Sequence, residues 1–330
     1  NRELMVKAYR YNGLRFSFVA GKKENINTSI NYYQKGYSLA RESKLEKEQV
    51  SCLLGLTSSY CLIPDADKAM NYANQAFSLV NNTSQDSLEA ECYISFGDCY
   101  LLKNEKLLAL KNYFNATRIA EEVKKLESKN GIIDLKRKAY VKLRDFYATI
   151  KDYNKSLDYA VKAKDLLLLT KDGGEKYARV TDLVFIGNLL ARKKEFDLAK
   201  KKYEESIKLA DSLKFAAMKI PGYLALLNMY LEAKRPQEAL GFFNGNADLR
   251  NYLEQIGFGN VIDHAYGYIY MDLDKFDSAQ KYFSSAKPFF EKVADNTSRM
   301  IFFNHLSLLN VKMGKYSTAV EALLLAKQTA

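Results

Sequence analysis

The sequence contains few of the residue types that end helices or form reactive sites. Tryptophan is absent, and the 330 residues include only four Pro and 16 Gly. Because Pro and Gly mark turns, this scarcity argues against a loop-rich or all-β protein. Two His and four Cys leave few side chains for a metal site or a nucleophile. Hydrophobic residues still make up 48% of the chain, which is enough for a large core.

The motifs of several common enzyme classes are also missing. There is no G-x-x-x-x-G-K-[ST] phosphate loop, no H-E-x-x-H zinc motif and no G-x-S-x-G nucleophile motif. We therefore expect a non-catalytic protein with no cofactor and no bound metal. The cysteines follow no metal-ligand spacing, and we expect buried free thiols, with a disulfide as the less favoured alternative. They are Cys52, Cys61, Cys92 and Cys99.

The charge balance is basic, with a formal net charge of +11. Most Lys and Arg residues alternate with Asp and Glu, which is typical of solvated helix surfaces. A nucleic-acid-binding surface would need its positive charge on one face, and the richest basic stretch runs from Lys136 to Arg144. No apolar run reaches the length of about 18 residues that a membrane span needs. We expect no membrane contact by this segment.

Small residues recur along the chain at a nearly constant interval. The spacings between them are 40, 40, 47, 43, 40, 40 and 40 residues. These anchor residues are Ser29, Ala69, Ala109, Ser156, Ala199, Ala239, Ala279 and Ala319. Apolar residues at helical spacing lie on both sides of a short polar turn in each block, so each block predicts two helices joined by a turn.

The third block shows the pattern most clearly. It reads Tyr93-x2-Phe96-Gly97-x2-Tyr100, then Ala109-x3-Tyr113-x2-Ala116. This resembles the tetratricopeptide repeat family, whose signature is W-x2-L-G-x2-Y, A-x3-F and a closing P. The period here is longer, Trp is replaced and the closing Pro is missing. The resemblance implies an all-α fold, a right-handed α-α superhelix of about eight hairpins with a period of about 40 residues.

We expect residues 1–330 to form a single solenoid of this kind. The predicted repeats are 4–43, 44–83, 84–130, 131–173, 174–214, 215–254, 255–294 and 295–330. The long linker over 124–134 predicts a bend, and Asn244-Gly245-Asn246 predicts a break in the second helix of the sixth repeat. The chain begins at Asn1 and ends inside a helical pattern, so we expect it to be a piece of a longer protein.

The family resemblance implies that the first helix of each repeat, helix A, lines a concave groove that binds a protein or peptide. The groove candidates are Asn188, Asn228, Asp98, Asp145, Tyr268, His264 and Asn304. An Asn at the position of Asn188 and Asn228 implies hydrogen bonds to an extended peptide backbone, since one amide both donates and accepts. The alternative is a solvated groove or a cap between helices. A carboxylate clamp is rejected, because Val184 and Leu224 stand where the family's clamp needs Lys.

His264 and His305 lie on the A helices of adjacent repeats, where ordinary polar packing is favoured over a metal pair. We expect a protein- or peptide-binding scaffold, the sensory region of a larger bacterial signalling protein. By analogy it looks like the sensor of a histidine kinase or membrane-anchored transcription regulator, which favours a periplasmic over a cytoplasmic location. The alternatives are a nucleic-acid-binding helical array and a cytoplasmic peptide receptor. The oligomeric state is left open.

Overall fold

A computed structural model describes residues 1–18, 23–80, 86–123, 129–170, 174–214, 216–255, 257, 259–292 and 296–327. Within these ranges the regular structure consists of seventeen α-helices and two short 3-10 helices, with no strand. The first nine helices are α1 Arg2–Phe18, α2 Lys23–Glu42, α3 Glu46–Leu62, α4 Ala66–Val80, α5 Asp86–Leu102, α6 Lys106–Glu122, α7 Lys129–Thr149, α8 Tyr153–Leu166 and α9 Gly174–Arg192. The others are α10 Phe196–Ser212, α11 Ile220–Glu232, α12 Pro236–Gly245, α13 Ala247–Gln255, α14 Gly259–Asp272, α15 Phe276–Lys292, α16 Asn296–Lys312 and α17 Tyr316–Lys327.

The helices follow one another as a repeating pair, helix A and helix B, here called a hairpin, so the all-α repeat fold is confirmed. The A helices are α1, α3, α5, α7, α9, α11, α14 and α16. The extra helix α13 arises from the predicted break, because α12 ends at Gly245 and Asn246 has non-helical φ and ψ of −117° and 59°. Gly and Asn are weak helix formers, which explains why the second helix of the sixth hairpin stops there.

A three-residue turn joins the two helices of each hairpin from the second to the eighth. In the third hairpin, Glu105 donates its backbone N–H to Tyr100 at 2.8 Å, and Asn104 donates to Leu101 at 3.0 Å. This is the Schellman pattern, which satisfies the last carbonyls of helix A and needs a left-handed residue in the middle of the turn. Residues with φ of 55 to 72° hold that place in six hairpins: Asn104, Lys151, Lys194, Lys234, Asp274 and Gly314.

The anchor residues found in the sequence are the best-buried positions of helix B. Seven of them are fully buried, and Ala319 is 2% exposed. The seven are Ser29, Ala69, Ala109, Ser156, Ala199, Ala239 and Ala279. A small side chain at this position lets helix B approach its neighbours closely, which is why the spacing of the anchors reproduces the spacing of the hairpins.

Aromatic rings fill the space beside this close contact. A Cβ added to Gly97 of α5 would lie 2.3 Å from the Tyr113 ring of α6, and one added to Gly267 of α14 would lie 2.9 Å from the Phe283 ring of α15. Tyr113 and Phe283 are both almost completely buried. Glycine is required at these two positions of helix A because the ring occupies the place of its side chain.

The chain divides into two compact units, residues Asn1–Leu189 and Leu190–Ala330. In the first unit, one core cluster contains Tyr33 and Leu53, and another contains Tyr113 and Leu143. In the second unit, one cluster contains several buried phenylalanines, and the rings of Phe290 and Phe302 stack with their centroids 4.4 Å apart. A single continuous solenoid over 1–330 stays a prediction.

The sequence predicts a long linker over 124–134, and this prediction is wrong for the second half of the linker. Helix α7 begins at Lys129, so 129–134 are helical, and 124–128 lie outside the described residues. The reason is apolar packing, since Ile133 is buried and Leu135 is buried in one cluster with Ile119 and Ala120, against which Ile132 also packs. Burial of this extended apolar stripe outweighs the weak helix propensity of the Asn-Gly pair. The bend itself stays a prediction.

In the part of the chain that the structure describes, no helix is both long enough and apolar enough to cross a membrane.

The close contact of Gly267 with Phe283 predicts the effect of one added methyl group. We expect Gly267→Ala to destabilise the second unit by about 1–3 kcal/mol, because the buried ring must shift. Gly241 in α12 is the matched control, since an added Cβ there meets no atom within 4 Å. Gly241→Ala should stabilise by up to about 1 kcal/mol through helix propensity. Urea unfolding followed by circular dichroism measures both, and equal effects of the two substitutions would contradict this packing.

Candidate functional site

All seven predicted groove residues lie on A helices. The first unit holds Asp98 on α5, Asp145 on α7 and Asn188 on α9, and the second unit holds the remaining four. Those four are Asn228 on α11, His264 and Tyr268 on α14, and Asn304 on α16. The side chains of Asp145 and of the three Asn residues are exposed, whereas Asp98, His264 and Tyr268 are half-buried.

The second unit contains a cavity of about 440 Å³ on the side where α11, α14 and α16 meet. It brings together Asn228, His264 and Tyr268, whereas the predicted Asn304 does not line it and His305 beside it does. Most of its wall is apolar. The aliphatic lining includes Leu224, Leu227, Leu231, Val261, Ala265 and Ile301. A mostly apolar cavity with a few polar groups is the usual form of a binding site.

His264 and His305 form a hydrogen-bonded pair on the wall of this cavity. Nε2 of His264 lies 3.0 Å from Nδ1 of His305. The imidazole of His264 also packs against the rings of Phe290 and Phe302, each with centroids 5.1 Å away. The ring of Tyr268 lies 4.3 Å from that of His305. The pair is therefore held by aromatic neighbours as well as by its hydrogen bond.

Both imidazoles are neutral at pH 7. Burial and, as the smaller cause, the neighbouring His305 lower the pKa of His264 to about 3. Burial also lowers the pKa of His305 to about 4, although the charge of Asp272 acts in the opposite direction. One imidazole must donate the shared hydrogen bond and the other accept it. Whichever imidazole is the donor, the other two ring nitrogens of the pair are one N–H donor and one acceptor.

The corresponding face of the first unit is charged. Asp98 accepts hydrogen bonds from Tyr113 Oη at 2.7 Å and from Lys142 Nζ at 2.8 and 2.6 Å. Burial opposes the charge of Lys142, but the attraction and hydrogen bonds of Asp98 give a net rise in its pKa. Burial, together with Asp98, raises the pKa of the Tyr113 hydroxyl. Asp98 is therefore engaged within the protein.

A second charged group in the first unit centres on Asp182 of α9, which is 2% exposed. Its carboxylate accepts from Arg137 Nη2 at 2.8 Å and from Arg144 Nη1 at 3.1 Å, both on α7. The Arg144 guanidinium also lies 3.9 Å from the centre of the Phe185 ring, and its Nε donates to Asp145 at 2.8 Å. This network ties the A helices α7 and α9 together.

Comparison with known proteins identifies the fold. No protein-family model matches the sequence, and no curated protein matches it. Among solved structures, a signal transduction ATPase with numerous domains and a tetratricopeptide repeat sensor, from Pyrococcus horikoshii, has a TM-score of 0.73 at 12% identity, over 99% of this chain and 48% of that one. A tetratricopeptide repeat protein from Parabacteroides merdae has a TM-score of 0.55 at 12% identity, over 85% and 93% of the two chains.

A Rap protein complexed with competence and sporulation factor has a TM-score of 0.56 at 17% identity, over 99% of this chain and 87% of that one. The chain has a tetratricopeptide-repeat-like fold. At these identities the likeness establishes the fold alone, and this chain spans about half the length of the Pyrococcus ATPase. None of the three is a histidine kinase, so that origin gains no support from them.

Sequence reasoning missed Asp182 and the cavity of this tetratricopeptide-repeat-like protein. A signal for Asp182 did exist, because the same repeat position is small or apolar in the other A helices from α3 onward. Those residues are Cys52, Cys92, Ala139, Gly222, Ile262 and Phe302. A carboxylate at such a buried position needs a positive partner, and the basic stretch of α7 supplies two arginines. The cavity left no comparable signal in the sequence.

The described residues place no group of three or more His, Cys, Asp or Glu side chains where they could hold a metal ion. The four cysteines are free, with Cys61 half-buried and the other three buried.

Acidification should destabilise the second unit through the His pair. Both folded pKa values lie below the ordinary 6.5, so the unfolded chain binds more protons as the pH falls below 6.5. The stabilisation is complete above that pH and is lost on acidification towards pH 3 to 4. Between pH 7 and 5 we expect a loss of about 2 kcal/mol for each imidazole. Urea unfolding at both pH values measures it.

The two histidines are the only ones in the chain, so the double variant His264→Gln with His305→Gln is a clean control. Its unfolding free energy should change much less between pH 7 and 5 than that of the natural sequence. An equal pH dependence in both proteins would show that the imidazoles titrate normally in the folded state.

Replacement of Asp182 should destabilise the first unit strongly. Asp182→Asn leaves the largely buried Arg137 without a carboxylate and Arg144 with only the exposed Asp145, which costs about 3–5 kcal/mol. Asp145→Asn is the matched control, because Asp145 binds the same Arg144 but is exposed, and its loss should cost at most about 1 kcal/mol. Chemical unfolding of both variants tests the difference. Similar losses would mean that burial of the Asp182 network contributes nothing.

Proposed function

We propose that the chain is a non-catalytic scaffold that binds an extended polypeptide along its A helices. The observation that carries this proposal is the apolar cavity of the second unit, with the exposed amide of Asn228 in its lining. A primary amide offers both a donor and an acceptor to a peptide backbone. The cavity beside it can accept an apolar side chain from the same segment.

Both kinds of contact at such a site contribute to the binding energy of a peptide. Burial of one large apolar side chain contributes about 1.5–3 kcal/mol. Hydrogen bonds from a side-chain amide to the peptide backbone add about 0.5–1.5 kcal/mol each. In the first unit, Asn188 holds the repeat position of Asn228 and is also exposed, so it is the second candidate for a backbone contact.

The signalling context is part of the proposal. The similar structures include an ATPase with a tetratricopeptide repeat sensor and a Rap protein complexed with competence and sporulation factor. These likenesses support a binding role in a sensory or regulatory protein, and their low identities leave the partner of this chain open. Val184 and Leu224 remain the reason to exclude recognition of a carboxylate by a clamp lysine.

Nucleic acid binding has less support. The basic stretch of α7 is the strongest sequence signal for it, but most of its charges are paired within the first unit. Lys138 contacts Glu91 at 2.8 Å, and Lys142 contacts Asp98 at 2.6 Å. Arg137 and Arg144 both contact Asp182. Because these charges are paired within the protein, they indicate a structural role for the basic stretch rather than a phosphate-binding surface.

Peptide selection tests the proposed function. The full chain is used to select binders from a random peptide display library, and one selected peptide is titrated by calorimetry. Asn228→Ala should weaken its binding at least about fivefold, because the backbone groups that the amide satisfies lose their partner. The thermal unfolding of the variant should be nearly unchanged, since Asn228 is exposed.

Asn251→Ala is the control for this experiment. Asn251 is exposed on α13 of the same unit and does not line the cavity, so its removal should leave peptide affinity unchanged. Failure to select any peptide, or equal binding by the Asn228→Ala variant and the natural sequence, would overturn the proposed function.

A further inference from the structure

The cavity of the second unit carries no charge. Its polar lining consists of Asn228, His264, Tyr268, Ser298 and His305, and no Lys, Arg, Asp or Glu lines it among the described residues. Both imidazoles are neutral at pH 7. Burial of a charged group here would lack the opposite charge that makes such burial tolerable. The group that enters the cavity must therefore be uncharged.

Aromatic rings also contribute to the cavity wall. Phe243, Phe290 and Tyr268 line it together with the two imidazoles. Rings of this kind prefer edge-to-face or offset contacts with another ring, and such contacts add to the energy of simple burial. The cavity of about 440 Å³ also lies within the usual range of about 300–1,000 Å³ for ligand sites. A planar aromatic group fits this environment better than a flexible aliphatic chain.

The His pair adds a hydrogen-bonding position to this apolar wall. Its internal bond uses Nε2 of His264 and Nδ1 of His305. Among the described residues, no hydrogen bond reaches the other two nitrogens, which comprise one donor and one acceptor. Exchange of the two tautomers reverses which nitrogen donates. The pair can therefore accept a hydrogen bond from an N–H or O–H group on a bound ring without taking up a charge.

From these features we propose that the cavity is a specificity pocket for one aromatic side chain with an N–H or O–H group, tryptophan or tyrosine, in the bound polypeptide. This inference rests on the proposed function and names what the same site selects. The ring packs against Leu224, Phe243 and Phe290, and its polar edge hydrogen-bonds to the His pair. We assign the occupant as a polypeptide side chain because Asn228, whose amide can hydrogen-bond to a peptide backbone, lines the same cavity.

The absence of tryptophan from the chain permits a direct test with a small probe. N-acetyl-tryptophanamide can be excited at wavelengths where the protein is silent, so its fluorescence reports binding alone. The two histidines supply a second readout, because every imidazole NMR signal of the protein belongs to the pair. We expect the probe to shift both imidazole signals. N-acetyl-leucinamide and N-acetyl-lysinamide should shift them much less at equal concentration.

A substitution that fills the cavity tests the pocket from the side of the protein. Ala265→Leu places three extra carbon atoms in the cavity and should weaken the probe and a selected peptide at least about tenfold. Ala8→Leu, the same change at an exposed position of α1, should leave both unchanged. If Ala265→Leu fails to fold, Leu224→Ala replaces it. Leu224 is 38% exposed, so its loss removes apolar contact with the ligand at little cost to folding.

The outcomes separate this inference from the function on which it rests. Selected peptides should contain Trp or Tyr, and replacing that residue with Ala should weaken binding to the natural chain but not to the Ala265→Leu variant. Peptides that bind through Asn228 but contain no essential aromatic residue would overturn the pocket and leave the proposed function standing. Equal imidazole shifts with the leucine and tryptophan probes, or no shift with either, would also overturn the pocket.

Discussion

The close approach of helix B to its neighbours at one small residue is the constraint on which the structure depends. Each hairpin buries such a residue, from Ser29 to Ala319, and a larger side chain there would force the helices apart. The aromatic rings beside it, such as Tyr113 and Phe283, then fill the remaining space and require glycine on the facing helix. Because one hairpin cannot bury its apolar surface alone, contacts between neighbouring hairpins of a unit add to the stability that the contacts within each hairpin supply.

This arrangement assigns different roles to the two helices of a hairpin. Helix B supplies the regular packing, so its pattern varies little along the chain. The A helices can vary in their side chains without disturbing that packing, and the two units use this freedom differently. In the first unit, Asp98 and Asp182 join adjacent A helices through charged groups. In the second unit, the A helices enclose an uncharged cavity with His264 and His305 on its wall.

The sequence predicted the regular part of this molecule because regular packing requires similar residue types at regular intervals along the chain. The anchors, the short polar turns and the break at Asn246 all follow from residue types at fixed spacing. The start of α7 was missed because Gly131 suggested a loop, whereas burial of Ile133 and Leu135 decides for a helix. The cavity and the Asp182 network were missed for another reason. They depend on side chains from two or more helices, and spacing along one helix does not show how those side chains combine.

A crystal structure of the full chain with a selected peptide tests the central claim most directly. The account predicts that the peptide lies across α11, α14 and α16, with its backbone at Asn228 and an uncharged aromatic side chain against His264 and His305. A peptide bound to the outer faces of the B helices, or one that leaves the cavity empty and contacts only the charged face of the first unit, would contradict it.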